Sequence, residues 1–269
     1  MSEPVAVFQG PSPQIRRVPI DRPWMWLAAG WNDLWAAPAS GLAWGAGAVA
    51  AGWASIALLL WFEQPWLVLP LSAGFFFVGP FMAVGLYETS RRLGAGLPVD
   101  GAATLAAWRR NTDQIALMGV VLLLLHLAWM RIAQLLFALF QGQGVPSWDR
   151  FTDVLWHSAR SLPFLATGVA IGAALAALAF VIGAFSIPFL LDRRHSNVFE
   201  AIATSVAAVR LNPRPMLLWA GLIVLLVAMA MVPGLLGLLV VLPVLAHATW
   251  HAYRDVVVFE PAPGPGASP

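Results

Sequence analysis

Residues 39–62 read ASGLAWGAGAVAAGWASIALLLWF, an apolar stretch without a single charged side chain. Four further stretches have the same character, and they cover residues 66–87, 115–140, 162–191 and 215–253. A run of about 18 or more apolar residues is long enough to cross the ~30 Å hydrocarbon core of a bilayer as a helix. The sequence therefore predicts an all-α, polytopic membrane protein.

The last stretch, 215–253, is too long for one crossing because it would form roughly 58 Å of helix. Pro233 and Gly234 lie near its middle and are a turn signal, so we divide it into spans at 215–232 and 234–253. The expected fold is a six-helix transmembrane bundle with short interfacial amphipathic helices. Its spans cover about 39–62, 66–87, 115–140, 162–191, 215–232 and 234–253.

These spans form a single predicted membrane domain over residues 21–255. Residues 1–20 are expected to be a flexible cytoplasmic N-terminus, and residues 256–269, rich in Pro, Gly and Ala, a disordered tail. Within the fourth span, Pro188 is expected to kink the end that leaves the membrane.

Composition excludes several classes of function. Hydrophobic residues make up 60% of the chain and charged residues 10%, and there is no cysteine, which excludes disulfides, thiolate metal sites and cysteine nucleophiles. The formal net charge is only +2, and the arginines are scattered between the spans. Nucleic-acid binding needs a basic stripe, so no nucleic-acid partner is expected.

The arginines predict the orientation of the chain. If the N-terminus is cytoplasmic, only Arg150 and Arg160 fall outside, and Arg131 lies within a span. This bias follows the positive-inside rule and predicts a multi-pass protein of the bacterial inner membrane with both termini cytoplasmic. Two pairs of arginines contribute to the charge at the inner surface: Arg91 with Arg92, and Arg193 with Arg194. Glu88 is the expected ion partner of Arg91, and Asp192 that of Arg194.

Short amphipathic segments precede three of the spans. The first follows Asp21 and is expected to place a tryptophan-rich face at the headgroup boundary, with Asp33 opposite and Trp26 off the face. The third begins with Asn197 and Glu200, which have the spacing of a capping pair. The expected face of the first segment comprises Trp24, Leu27, Trp31, Leu34 and Trp35.

The six spans fit three repeats, each an interfacial helix followed by a transmembrane hairpin. The middle segment, 99–112, is the weakest of the three, but each ends near an asparagine: Asn32, Asn111 and Asn212. Asparagine tolerates the left-handed conformation that ends helices. The pattern indicates internal duplication, although any six-span protein with short loops would show a similar one.

Small residues recur at helical spacing in two spans. Without water between the helices, close backbone approach and dispersion hold such bundles together, so these positions are expected to be packing faces rather than ligand sites. They are Gly41, Gly45 and Gly52, with Ala48, in the first span, and Gly168 and Gly172 in the fourth.

Few polar groups are expected at membrane depth, and none of them is Asp or Glu, which disfavours a proton- or sodium-coupled transporter. His126 and Arg131 in the third span are the candidate intramembrane polar site, although Arg131 has the alternative of snorkelling to the outer surface. His247 and His251 share a helix face, and their i, i+4 spacing suits binding of a metal or a haem. The alternative is that both are interfacial groups that bind no ligand. No cofactor is predicted, because no supporting carboxylate is expected in the same layer.

Two segments resemble a known family. The first begins RRVPIDRP at residues 16–23 and continues through Trp26-Leu27, Gly30-Trp31, Asp33-Leu34 and Ala37-Pro38. The second comprises Val78-Gly79-Pro80-Phe81, Gly85-Leu86-Tyr87-Glu88 and Arg91-Arg92. Together they resemble the bacterial integral membrane family catalogued as domain of unknown function 2189, over most of the chain. The resemblance implies no activity and no catalytic residues. Some members carry a cytochrome c oxidase label, which implies at most an accessory role here.

The leading functional hypothesis is a non-enzymatic structural or accessory component that contacts the lipid bilayer and other membrane proteins. A transporter or lipid-handling protein that uses the repeat interface is an alternative, centred on His126 and Arg131. A haem- or metal-binding accessory protein of a respiratory oxidase is a second alternative, centred on His247 and His251. The sequence leaves the oligomeric state open.

Overall fold

The structure, a computed structural model, describes residues 13–64, 82–141 and 161–259, together with residues 67, 68, 71 and 79. Two short strands, β1 and β2, accompany a helical fold. The strands are Gln14–Ile15 (β1) and Val257–Val258 (β2). The helices are Arg22–Ala36 (α1), Pro38–Trp61 (α2), Val84–Gly94 (α3), Gly101–Leu105 (α4), Thr112–Gln141 (α5), Ser161–Gly183 (α6), Ser186–Asp192 (α7), Val198–Leu211 (α8), Pro213–Met231 (α9) and Leu238–Val256 (α10), with a 3₁₀ helix at Ala106–Arg110.

Within the described ranges, four helical segments are long and apolar enough to cross a membrane. They are Pro38–Trp61, Thr112–Phe140, Ser161–Asp192 and Pro213–Met231. Most of the predicted second span, 66–87, lies outside the described residues, and α3 begins only at its end. The predicted sixth span corresponds to α10, which is not among the four candidates.

Helix α10 lies at the centre of the molecule and packs against α1, α2, α3 and α9. It buries much of its surface, including Leu242, His247 and Tyr253. Helices α5 and α6 pair with each other to one side. Among the long helices, α10 is therefore the one most enclosed by protein, and its C-terminal half is polar.

The long fourth stretch breaks at Ala184 and Phe185, between α6 and α7. Pro188 lies four residues after Ala184, and a proline ring clashes with the carbonyl of the residue four positions before it. The break therefore follows from Pro188, as predicted. The turn between α9 and α10 has Gly234 at φ +63° and Leu235 at φ +69°, where the predicted Pro-Gly turn lies.

Three junctions between a short helix and the following long helix share one backbone conformation. The φ and ψ angles are −137° and 60° at Ala37, −158° and 63° at Asn111, and −123° and 52° at Asn212. None of these is left-handed, so the reason that we predicted for the asparagines is wrong. Asn32 lies inside α1, five positions before the junction, because Pro38 disfavours helical backbone at Ala37 rather than at Asn32.

The two ends of the described chain pair with each other. Gln14 lies opposite Val258 and Ile15 opposite Val257 in an antiparallel ladder. Residues on both sides of the predicted membrane domain, which ends at 21 and 255, therefore satisfy each other's backbone groups. Residues 1–12 and 260–269 lie outside the described residues.

The interfacial helices differ from prediction in which face they bury. In α1, Trp24, Trp31 and Trp35 are exposed, whereas Trp26 is 3% exposed and lies in the core. Asp33, expected on the face opposite the tryptophans, is half-buried and bonded to α10. The three tryptophans of the predicted face thus point away from the protein, whereas Leu34 of the same face is 1% exposed and lies in the core.

The third interfacial helix, α8, begins as predicted. The Asn197 side chain accepts from the Glu200 N–H at 2.9 Å, and the Glu200 carboxylate accepts from the Asn197 N–H at 3.3 Å. This capping box is confirmed. In the weaker middle segment, Asp100 caps α4 and the remainder forms the 3₁₀ helix, with Leu105 exposed.

Candidate functional site

Four side chains from three helices form the histidine cluster: Asp33, Ser90, His247 and His251. Ser90 Oγ lies 2.7 Å from His247 Nδ1, and His251 Nε2 lies 2.8 Å from Asp33 Oδ2. Close to it, Ser40 Oγ lies 3.0 Å from Thr89 Oγ1. The i, i+4 spacing of the histidines on α10 places one against α3 and the other against α1.

Burial and hydrogen bonding act in opposite directions on the Asp33 carboxyl. Burial raises its pKa, while the hydrogen bonds from His251 and Ser90 and the nearby His247 ring lower it; the net pKa is below the ordinary value. Asp33 therefore carries a negative charge at neutral pH. The carboxylate fixes the His251 ring against α1.

The histidine cluster does not form a catalytic triad. Ser90 is 1% exposed and His247 0% exposed, so no substrate reaches them from outside. The carboxylate bonds to His251 and not to the histidine that faces the serine. The arrangement joins helices rather than activating a nucleophile.

The same geometry tests the haem and metal hypothesis for His247 and His251. His247 Nδ1 bonds to Ser90 and His251 Nε2 bonds to Asp33, while His247 Nε2 is buried without a hydrogen-bond partner. The described residues contain no group of three or more His, Cys, Asp or Glu side chains that could hold a metal ion. Gly41 of α2 lies beside this ring, because a Cβ added to it would be 3.8 Å from His247 Nε2. The sequence reasoning missed Asp33 as the supporting carboxylate, because that residue comes from a distant helix.

Glu88 is the most buried acidic residue described, at 3% exposure, and three arginines surround it. Arg91 donates to its two oxygens at 2.7 Å each, and Arg92 and Arg110 lie 3.7 Å and 3.9 Å away. The hydrogen bond with Glu88 raises the pKa of Arg91. The predicted Glu88–Arg91 pair is present, but it lies within the protein rather than on the surface.

Asp255, two residues beyond the predicted sixth span, joins the N-terminal segment to α10. Its carboxylate accepts from Arg22 at 2.6 Å and from the indole of Trp26 at 3.0 Å, and it also pairs with Arg16. Burial raises its pKa, but the hydrogen bonds from Arg22 and Trp26 outweigh burial and the pKa is lowered. Trp26 was missed as a core residue, although Trp26, Gly30 and Leu34 have the i, i+4, i+8 spacing of a helix face.

The predicted Asp192–Arg194 pair is wrong within the described structure. Asp192 accepts from Tyr253 Oη at 2.9 Å and from Arg254 at 3.3 Å, and Arg194 is exposed. Asp192 ends α7, and the helix brings it against α10 rather than toward its neighbour in sequence. Arg193 lies over the ring of Phe259, 3.4 Å from its centroid.

His126 and Arg131, the predicted polar pair of the third span, are not brought together. His126 is 6% exposed, whereas Arg131 is exposed and donates to Gln134 at 3.2 Å. Five positions along an α-helix correspond to about 140° of rotation, so the two side chains lie on different faces. They do not form one site.

Three glycines of α2, Gly41, Gly45 and Gly52, lie close to residues outside that helix. A Cβ on Gly45 would overlap the carbonyl oxygen of Leu239, and one on Gly41 or Gly52 would overlap the side chain of Leu34 or Leu235. In α6, a Cβ on Gly172 would lie 3.1 Å from the ring of Trp129. Gly168 differs from the prediction: no described atom lies within 4 Å of the position its Cβ would take.

An apolar groove of about 880 Å³ lies among α6, α9 and α10. Small residues line much of it, among them Ala176, Ala220, Gly221 and Ala228. Its volume is within the ~300–1,000 Å³ of typical small-molecule sites. Unlike such sites, its walls present almost no polar groups to orient a ligand.

Comparison with known proteins supports the membrane assignment. The model of a family described as "predicted integral membrane protein (DUF2189)" matches residues 68–192. This is the family that the sequence resembles, and the resemblance is confirmed over that range. No curated protein and no solved structure matches the chain. The chain is thus an integral membrane protein with several apolar helices, and contact with the lipid bilayer follows.

Proposed function

We propose that this protein is a non-enzymatic accessory component of the bacterial inner membrane that binds other membrane proteins. The observation that carries the proposal is how its polar side chains are used. Glu88, Asp33, Asp192 and Asp255 are each bonded to side chains of the protein itself. The large groove, by contrast, is apolar. Groups that would perform chemistry instead hold the helices together.

The proposal includes six spans with both termini cytoplasmic. The pairing of β1 with β2 supports an even number of crossings, because strands that are hydrogen-bonded to each other lie on one side of the bilayer. The excess of arginines in the loops on that side supports the cytoplasmic assignment. Reporter fusions at residue 13 and residue 259 test it, and an exported reporter at either end would contradict it.

We also propose that the fold is a threefold repeat of interfacial helix and hairpin. The shared backbone conformation at Ala37, Asn111 and Asn212 supports it. The three junctions each precede a long apolar helix, α2, α5 or α9. In this alignment of the three repeats, Ala37 and not Asn32 is the residue of the first repeat that corresponds to Asn111 and Asn212.

The test of the accessory role is purification of the full chain in a mild detergent, with identification of bound proteins by mass spectrometry. The expected result is a stoichiometric membrane-protein partner. Recovery of the chain alone, from cells and detergents that preserve known complexes, would refute the role.

No cofactor is part of the proposal, because His247 and His251 have no third His, Cys, Asp or Glu among the described residues to complete a group of metal ligands. An absorption spectrum and metal analysis of the same sample test this point. A Soret band or one metal per chain would favour the respiratory accessory alternative instead.

A further inference from the structure

We propose that the groove among α6, α9 and α10 binds one acyl chain of an anionic phospholipid, whose phosphate contacts arginines at the groove's end. This proposal goes beyond the accessory role and does not depend on it. The occupant follows from the shape of the groove, its position and the charge at its mouth.

The groove has the dimensions of an acyl chain. Along α9 it extends from Pro213 to Ala228, roughly 22 Å at the helical rise. One leaflet of the hydrocarbon core is about 15 Å thick, so a lipid chain of one leaflet fits within this length. Helices α6 and α9, which line the groove together with Gly79, Ala83 and Tyr87, both have the length and hydropathy of membrane spans, so the groove lies at the depth of lipid chains.

Positive charge is concentrated at one end of the groove. Val209 and Pro213 line that end, and they are followed in the chain by Arg210 and Arg214, both exposed. Neither arginine forms an ion pair with any described residue. Exposed arginines that directly follow lining residues of an apolar groove match the phosphate and chains of a phospholipid.

Asn212 brings a third arginine to the same place. Its side-chain oxygen accepts from the Val18 N–H at 2.9 Å, and its amide donates to the Arg16 carbonyl at 3.0 Å. Arg17, which is exposed, lies between these two residues. The N-terminal segment therefore adds to the positive charge at the groove's end.

The first test uses the wild-type chain, so it does not depend on a variant that folds. Delipidated protein in detergent is titrated with phosphatidylglycerol, phosphatidylcholine or inorganic phosphate, and bound lipid is counted by native mass spectrometry. One phosphatidylglycerol should bind, about thirtyfold more tightly than phosphatidylcholine, since two arginines near a phosphate contribute about 2 kcal/mol. Inorganic phosphate, which lacks a chain, should not bind. Equal affinity for the two lipids, or no bound lipid, would overturn the proposal.

The groove is then blocked from within. Gly221 lines it, and no described atom lies within 4 Å of the position a Cβ would take there, so Gly221→Phe fills the groove without displacing backbone. Binding of both lipids should fall at least tenfold. Gly168→Phe is the matched control, because Gly168 has the same open surroundings outside the groove and should bind lipid like wild type. Unchanged binding by the Gly221 variant would overturn the proposal.

The headgroup contact is tested separately. In the double variant R210Q/R214Q, the ratio of the affinity for phosphatidylglycerol to that for phosphatidylcholine should fall toward one. Binding of phosphatidylcholine should be retained. R109Q/R194Q removes two exposed arginines elsewhere and should keep the preference. Loss of the preference in both double variants would show non-specific attraction and overturn the assigned site. A photoreactive residue at position 221 gives a further test. If it crosslinks to a protein helix instead of lipid, the assigned site would also be overturned.

Discussion

Helix α10 and the α5–α6 hairpin were all predicted from long apolar stretches, but they are enclosed very differently. Among the described residues, α10 buries most of its side chains, whereas α6 buries only Ala179 and Gly183. Apolar side chains gain little by leaving lipid for protein, so hydrophobicity does not decide which helix becomes the core. Around α10, close glycine contacts and buried charges do so, whereas the α5–α6 pair has the looser contact of Gly172 with Trp129.

The largest expected effect is the loss of the buried carboxylate. Glu88→Gln leaves three guanidinium groups beside a neutral amide, and breaking a buried ion pair costs about 3–5 kcal/mol. The free energy of unfolding in detergent, measured by chemical denaturation, should fall by that amount. Asp113→Asn, an exposed change at the start of α5, should cost no more than about 1 kcal/mol. Equal losses would remove the proposed distinction between the two regions.

The next effect concerns the glycine contacts of α2. Gly45→Ala places a Cβ against the backbone carbonyl of Leu239 and should cost about 1–3 kcal/mol, because the backbone of α10 must move. Gly47→Ala, two residues away, meets no described atom within 4 Å and should be neutral or stabilise by up to about 1 kcal/mol. Thermal unfolding of the two variants side by side measures the difference. A Gly45 variant as stable as the Gly47 variant would show that α2 and α10 are not in close contact.

A smaller effect is expected at the junctions. Asn111 donates to the carbonyls of Leu190, Arg193 and Ser196, and Asn111→Ala would leave them without this donor, at a cost of about 1–2 kcal/mol. Asn32 is exposed inside α1, so Asn32→Ala should change stability by less than about 0.5 kcal/mol. The same denaturation assay compares them. Similar losses of stability in the two variants would indicate that Asn32 is equivalent to Asn111. That result would contradict the alignment of Ala37 with Asn111 and Asn212.

The smallest effect is the acid dependence of the contact between the N-terminal segment and α10. Asp255 has a lowered pKa in the folded protein, so its contribution is complete above its unfolded pKa of about 3.9 and is lost as pH falls through the folded value. Melting temperatures between pH 7 and pH 3 should fall less steeply in Asp255→Asn than in wild type. The decrease is not abolished, because Asp33 also has a lowered pKa. Asp21→Asn, an exposed change, should follow wild type; an unchanged slope in the Asp255 variant would contradict the role of this ion pair.

Much of the secondary structure was predictable, because it depends on local properties. The spans at α2, α5 and α9, the turn after α9, the break before Pro188 and the capping box at Asn197 all follow from apolar length, proline, glycine or capping chemistry within a few residues. The candidate site was predictable only in part. His247 and His251 could be identified from their spacing, but Asp33 and Ser90, their partners, are 218 and 157 positions away in the chain.

The sequence by itself determined that this is an all-helical membrane protein and where α2, α5 and α9 lie, because span length depends on neighbouring residues. Only the tertiary structure decided that α10 is the core, that Trp26 rather than the other tryptophans of α1 is buried, and that Asp192 pairs with Arg254. In a chain that is 60% hydrophobic, apolar residues cover every face of the long helices and cannot specify which of them meet. That choice depends on a few glycines and charged groups whose partners are distant in sequence.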